Sequence, residues 1–143
     1  MIDIRLANST DAPELERLNS LFNGDGNNTI EAVEESLKGN EQEIVCVAAD
    51  GNKLVGFCCG QILKSMCYSY KFAEVTELYV IDEYRRRGIG RQLLDLTEKD
   101  LSKRGVKHLH VLTGNENFIA QTLYRSCGYG DTSEILLDKN MEG

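Results

Sequence analysis

Residues 80–91 read VIDEYRRRGIGR, so four arginines and two glycines stand where an apolar run gives way to a helical pattern. At such a junction the first main-chain N–H groups of the helix have no intrahelical acceptor. They point outward at the positive end of the helix dipole. Gly88 and Gly90 would let a bulky anion approach the main chain, because no Cβ stands in the way. Arg85, Arg86, Arg87 and Arg91 add charge and forked donors. The chemistry these residues suit is the holding of a pyrophosphate. A Walker A loop needs Lys and Ser or Thr after its last glycine, and here Arg91 and Gln92 follow Gly90. A dinucleotide fold needs a third glycine at residue 93, which is Leu93. Both of those phosphate sites fit poorly.

Other reactive side chains are sparse. His108 and His110 share one strand-like segment with no carboxylate at a suggestive spacing. Cys46, Cys58, Cys59, Cys67 and Cys127 are odd in number, so they cannot all pair within one chain. They form no C-x-x-C pairs and no zinc-type cluster with the histidines. They read as reduced, mostly buried thiols in a reducing compartment, and no metal is expected. Glu74 and Glu77 lie on the strand-like run just before the arginine turn. Strand alternation would put them on opposite faces unless a bulge intervenes.

The elements that must position these groups follow from periodicity and turn chemistry. Residues 2–7 alternate weakly and read as a strand. Asp11, Pro13 and Glu14 mark a helix start, with Leu15, Leu18 and Phe22 as its apolar stripe. Residues 23–28 are loop chemistry. Asn28 and Glu31 then repeat the capping signal for a second helix ending near Gly39. Residues 44–49 and 53–63 flank a turn at 50–52 and form the strongest hairpin signal in the chain. Strands are expected at 72–81, 107–113 and 129–138, and helices at about 88–104 and 117–127. Ala120, Leu123, Tyr124 and Cys127 share one face of the last helix. Strands and helices mixed in this order imply an α/β chain with a mixed sheet in two or three layers.

The bulk properties narrow the partners. A chain of 143 residues is the size of one domain. It can bury roughly 70% of its unfolded surface without disulfides or metal. No proline-rich linker or repeat divides it, so a single domain over residues 1–143 is the expectation. No run of 18 apolar residues suggests a membrane span, and residues 1–10 lack the pattern of a secretion signal. The cytoplasm is the default location. The formal charge of −7 disfavours nucleic acid as a partner. That charge is unevenly spread: residues 1–40 carry eight acids against three bases, and residues 85–107 carry eight bases against three acids. One region could therefore meet a cation and the other an anion.

Arg85-x-x-Gly88-x-Gly90 after Leu78, Tyr79 and Val80 resembles the acetyl-CoA-binding signature of the Gcn5-related N-acetyltransferase (GNAT) superfamily. Asn117, Ala120, Leu123, Tyr124, Gly128 and Tyr129 resemble its second motif, at the expected distance downstream. The resemblance covers nearly the whole chain. It implies a mostly antiparallel sheet of six to seven strands, about four helices and splayed central strands. It also implies that the backbone of Leu78, Tyr79 and Val80 pairs with the pantetheine arm as an added strand. The main chain from Arg86 through Arg87, Gly88, Ile89 and Gly90 to Arg91 would hold the pyrophosphate. Asn117, at the start of the helix carrying Ala120, would hydrogen-bond the pantetheine.

The activity implied is acetyl transfer from acetyl-CoA, as cosubstrate, to a primary amine. A phenol keeps its proton at neutral pH better than a thiol, about 10 against about 8.5, so Tyr124 could protonate the departing thiolate. The N–H of Val80 could donate to the thioester oxygen as charge builds there. Glu77 and Glu74 are both candidates for the base, with Glu77 nearer the splay. The acidic N-terminal half favours a cationic acceptor such as an aminoglycoside, a polyamine or a peptide or protein amino group. A catalytically inactive acyl-CoA-binding sensor or regulatory module is the alternative. Dimers are common for this fold, and the last strand could pair with another chain to form a homodimer.

Overall fold

The computed structural model describes residues 1–142. Two compact units make up the chain, Met1–Leu112 and Thr113–Gly143.

The first unit holds a five-stranded sheet in sequential order, formed by β1 (Ile2–Leu6), β2 (Glu43–Asp50), β3 (Lys53–Leu63), β4 (Lys71–Val80) and β5 (Val106–Val111). All neighbours run antiparallel except β4 and β5, which are parallel. That one parallel pair needs a crossover, and α3 (Ile89–Lys103) supplies it. One face of the sheet is covered by α3, which buries Ile89, Leu93, Leu94, Thr97 and Leu101. Glycines on β3 let this helix lie close. A Cβ on Gly60 would stand 3.1 Å from Thr97 Cγ2 and 3.2 Å from Leu101 Cδ1, and one on Gly56 would stand 3.2 Å from Leu93 Cδ1.

On the other face lies α1 (Ala12–Asn23), which buries Leu15 and Leu18. It is pinned to the β2–β3 hairpin by polar bonds. Arg17 donates to the carbonyl of Leu54 at 2.9 Å, and Leu54 N–H donates to Glu14 Oε1 at 3.0 Å. The start signal expected at Asp11 is displaced: a short 3-10 turn, Ser9–Asp11, precedes α1, and Asn8 caps it. Asp11 instead accepts from Arg5 and, closing the capping box of the 3-10 turn, from the N–H of Asn8, and it makes no side-chain cap bond to α1. α2 (Ile30–Gly39) is capped by Thr29, whose hydroxyl accepts from Ala32 N–H, rather than by Asn28. Three cysteines, Cys46, Cys58 and Cys59, are buried in the sheet. Burial pushes the Cys58 thiol up to about 12, so it is no nucleophile.

The second unit contains α4 (Phe118–Ser126), with Tyr124 buried and Gly128 leaving the helix at a φ of 99°. Residues 129–138 form no strand, so the six to seven strands expected are five among the described residues. Asp131 pairs with Arg125 at 2.9 Å and Thr132 Oγ1 accepts from Glu134 N–H at 2.7 Å, which makes a turn. The apolar residues that follow find no ladder partner within the unit. Ile135, Leu136 and Leu137 are exposed.

Candidate active site

The arginine turn begins where β4 ends. Ile81 N–H donates to Val55 C=O at 2.9 Å, so the amide at residue 81 faces β3. Peptide directions alternate along a strand, and Val80 and Leu78 therefore direct their N–H and C=O groups away from β3. On that side lies β5, but its pairing with β4 stops at Val75 and Val111. Beyond this rung, within the first unit, β4 has no strand on that side, an edge on which an extended ligand can add hydrogen bonds. Arg85 Nε takes up the Val80 carbonyl at 2.8 Å at the end of that edge.

After a short 3-10 turn at Asp82–Tyr84, the chain enters α3 through residues with unusual backbone. Arg86 has a φ of 64° and Gly88 a φ of 77°. A non-glycine residue in the left-handed region costs of order 1–3 kcal/mol, which the surrounding turn must offset. Nothing lies within 4 Å of the point where a Cβ on Gly88 would stand. The first main-chain bond of the helix joins Gln92 N–H to Gly88 C=O at 3.1 Å, so the amides of residues 88–90 lie ahead of its ladder. These are outward main-chain amides in open space, an arrangement that can take an anion.

The arginines divide into supports and a free donor. Arg85 pairs with Asp82 at 2.8 Å, and Arg87 donates to Glu83 C=O at 3.2 Å while lying over the Tyr84 ring. Arg86 has no such tie among the described residues and is exposed. Ile89 is buried and anchors the helix, leaving only its amide for a ligand. Gly90 follows it in the first helical turn, and the Arg91 side chain is exposed there. Tyr79 turns its ring to α1, stacked on Phe22 at 4.7 Å, and its main chain faces β3, so of the three residues expected to pair with pantetheine only Leu78 and Val80 face the free side.

The two glutamates of β4 share a face. Opposite β3, Glu77 pairs with Cys59 and Glu74 with Gln61, while Thr76 is skipped at a bulge between them. The extra residue resets the alternation, so both carboxylates lie on the α1 side of the sheet. Glu77 accepts from Asn23 Nδ2, at the last residue of α1, at 3.0 Å. Glu74 Oε1 lies 2.9 Å from His110 Nε2. The two residues are register partners on β4 and β5, one rung before the strands part. His110 therefore has a carboxylate that its sequence neighbourhood does not reveal. His108 differs, since its ring meets Phe72 edge-on at 6.2 Å.

Glu43 on β2 was missed by sequence reasoning. It pairs with Gln61, which puts it on the same face as Glu74 and Glu77. Burial, and then the charge of Glu77, hold its carboxyl above the ordinary value. The signal that could have found it is register, through the hairpin at 50–52 that sets Glu43 across from Gln61. Among the described residues no group of three or more His, Cys, Asp or Glu is placed to hold a metal ion.

In the second unit Asn117 caps α4, its Oδ1 accepting from Ala120 N–H at 3.2 Å. Asn117 Nδ2 is left to donate to a ligand. Tyr124 meets Tyr129 at 5.8 Å between ring centroids, and Tyr129 N–H donates to Tyr124 C=O at 3.1 Å. The aromatic pair and the helix end fix where the phenol is carried.

Comparison with known proteins gives this geometry a family. The model of the acetyltransferase (GNAT) family matches residues 13–129. An uncharacterized N-acetyltransferase of Chlorobaculum tepidum is 32% identical over 122 residues, covering 85% of this chain and 74% of that protein. Among solved structures, the aminoglycoside N-acetyltransferase AAC(6')-Iy in complex with CoA superposes with a TM-score of 0.84 at 21% identity, over 99% of this chain and 95% of that one. An aminoglycoside acetyltransferase from an uncultured soil metagenomic sample, in complex with sisomicin, gives 0.83 at 22% identity, over 98% and 95%. A ribosomal-protein-alanine N-acetyltransferase from Brucella melitensis biovar Abortus 2308 gives 0.77 at 21%, over 97% and 100%. At these identities the structures speak for the fold. The family match runs through the arginine turn and α4 alike, and the chain belongs to the GNAT family of acetyltransferases.

Proposed function

We propose that this acetyltransferase moves an acetyl group from acetyl-CoA to the primary amine of a cationic acceptor. The observation that carries this reading is the bulge at Thr76, which brings Glu74 and Glu77 to one face beside the open edge of β4. A carboxylate face next to a strand edge suits an ammonium arriving beside a thioester. The amides of Arg86, Arg87, Gly88, Ile89, Gly90 and Arg91 hold the pyrophosphate, and Leu78 and Val80 present the edge for the pantetheine. When bound, acetyl-CoA supplies the activated acyl group.

The chain's own residues do the rest. The Val80 N–H donates to the acyl oxygen as negative charge grows there. Tyr124 gives its proton to the departing sulfur, and Asn117 Nδ2 steadies the arm. Glu77, fixed by Asn23, meets the ammonium. Most of the acceleration comes from holding amine and acyl carbon together.

Two structural neighbours that are aminoglycoside acetyltransferases, and another named for a ribosomal protein alanine, support small polycations and peptide amines as the acceptor classes to test. The five free cysteines suit a reducing cytoplasm. The exposed Ile135, Leu136 and Leu137 suit pairing with a second copy in a homodimer. The test is thiol release from acetyl-CoA across aminoglycosides, polyamines and short peptides. Release dependent on one amine class supports the reading and names the acceptor, while a protein that binds acetyl-CoA and releases no thiol with any amine counts against it.

A further inference from the structure

We infer that His110, oriented by Glu74, accepts the proton that the acceptor amine must lose. The inference rests on the amine-acetylation reading and adds a residue to it. Three observations carry it. His110 and Glu74 are register partners at the last rungs before β4 and β5 part, so the pair stands at the mouth of the open edge. Their side chains meet at 2.9 Å, and the His110 side chain remains 43% exposed. Both lie on the α1 side, the side that also carries Glu77 and Glu43.

With Glu74 ionised and the ring neutral, the bond selects one tautomer. A carboxylate oxygen accepts, so His110 Nε2 carries the hydrogen and Nδ1 presents a lone pair. That lone pair is the acceptor an ammonium needs. Glu74 holds the ring in place and stabilises the imidazolium that forms, the role a carboxylate plays behind a catalytic histidine. Glu77 is then left to hold the cation, and the two carboxylates of β4 have separate tasks.

The balance is simple. A C–N bond forms and the C–S bond breaks, with the electron pair leaving on sulfur. The nitrogen sheds two protons between ammonium and amide. The first goes to His110 Nδ1 and returns to solvent; the second ends on the CoA sulfur by way of Tyr124. No oxidant, reductant or metal enters.

The contrast with His108 guards against reading every histidine as a base. That ring packs edge-on against Phe72, which sits with Tyr68 and Tyr70 in an aromatic group at the other end of β4. It serves as the control.

The test compares kcat and KM in His110→Ala, Glu74→Gln, Glu77→Gln and His108→Ala, using the amine that supports thiol release. His110→Ala should lower kcat by roughly 10²-fold, the scale of general base catalysis, with KM for acetyl-CoA and thermal melting unchanged. Free imidazole should restore part of that loss. Glu74→Gln should lower kcat about tenfold, since the ring keeps a hydrogen-bond acceptor but loses its charge partner. Glu77→Gln should act chiefly on KM for the amine, and His108→Ala on neither constant. Wild-type kcat in His110→Ala would overturn the inference. So would a loss that imidazole does not restore, which would make His110 structural. An active parent protein with a fully active His110→Ala variant removes this assignment alone, whereas a parent protein that acetylates no amine removes the acceptor reading itself and this inference with it.

Discussion

The arginine turn and the proposed acceptor face are encoded in opposite ways. The turn is contiguous, residues 80–91, and is built largely of main chain: glycine conformation, helix amides and an open strand edge. The acceptor face is gathered from four elements and is built of side chains: Glu43 from β2, Glu74 and Glu77 from β4, His110 from β5 and Asn23 from α1. A ligand portion that never varies can be recognised by backbone, which tolerates sequence change elsewhere. A ligand that differs between relatives calls for side chains, which can be exchanged without disturbing the sheet.

This difference predicts which substitutions matter in each place. In the turn, Gly90→Glu sets a side chain and a negative charge against the helix amides, and acetyl-CoA affinity should fall by 10²-fold or more, roughly 3 kcal/mol. Arg86→Ala removes a whole charged side chain there and should cost only about tenfold, a single charge-assisted contact. Titration calorimetry measures both. The reverse order of effects would show that the turn works through its arginines and would erase the distinction from the acceptor face.

Tyr124→Phe sharpens the comparison from the second unit. It removes one oxygen and no backbone, so acetyl-CoA affinity should hold while kcat drops by roughly 10²-fold. Thiol-release kinetics at saturating acetyl-CoA decide it. Full activity would reduce Tyr124 to the packing that its contact with Tyr129 already shows.

How much was legible in the sequence follows the same division. The hairpin at 50–52, the strand at 53–63 and the entry into α3 were readable because each is set by neighbours a few residues apart. The bulge at Thr76 was foreseeable only as a condition, since nothing in FAEVTELYV says which residue is skipped. The Glu74–His110 pair was not legible at all. It depends on a parallel register between strands joined through the whole of α3, and register is a tertiary property. The expected strand at 129–138 failed for a related reason: its apolar residues fit a strand, but a strand exists only where a ladder partner does.

Gly56 tests whether the sheet's close packing is what holds the open edge. A Cβ there would stand 2.9 Å from the Tyr79 carbonyl oxygen and 3.2 Å from Val80 Cγ2. Gly56→Ala must push the end of β4 aside, and overpacking of this kind costs about 1–3 kcal/mol. Chemical denaturation should show that loss, and KM for acetyl-CoA should rise with it, because Leu78 and Val80 move. A variant that is destabilised with KM unchanged would separate the fold from the edge.

Glu43 gives the smallest effect and bears most directly on why the acceptor face is acidic. Its carboxyl is raised by burial and then by the charge of Glu77. A carboxyl whose folded value is raised adds stability only below its unfolded value, and that stability is lost as pH rises through the folded one. Glu43→Gln should therefore raise Tm by about 1–2 °C at neutral pH and by nothing at a pH below the ordinary carboxylate range. Scanning calorimetry at the two values measures the difference. If the face exists to hold a cation, the same substitution should raise KM for the amine a few-fold while it stabilises the chain. Function would then be keeping a charge that folding alone would discard. A Tm that falls at neutral pH would mean Glu43 is satisfied by its own neighbours, and the face would lose its claim to be an unneutralised site awaiting a positive partner.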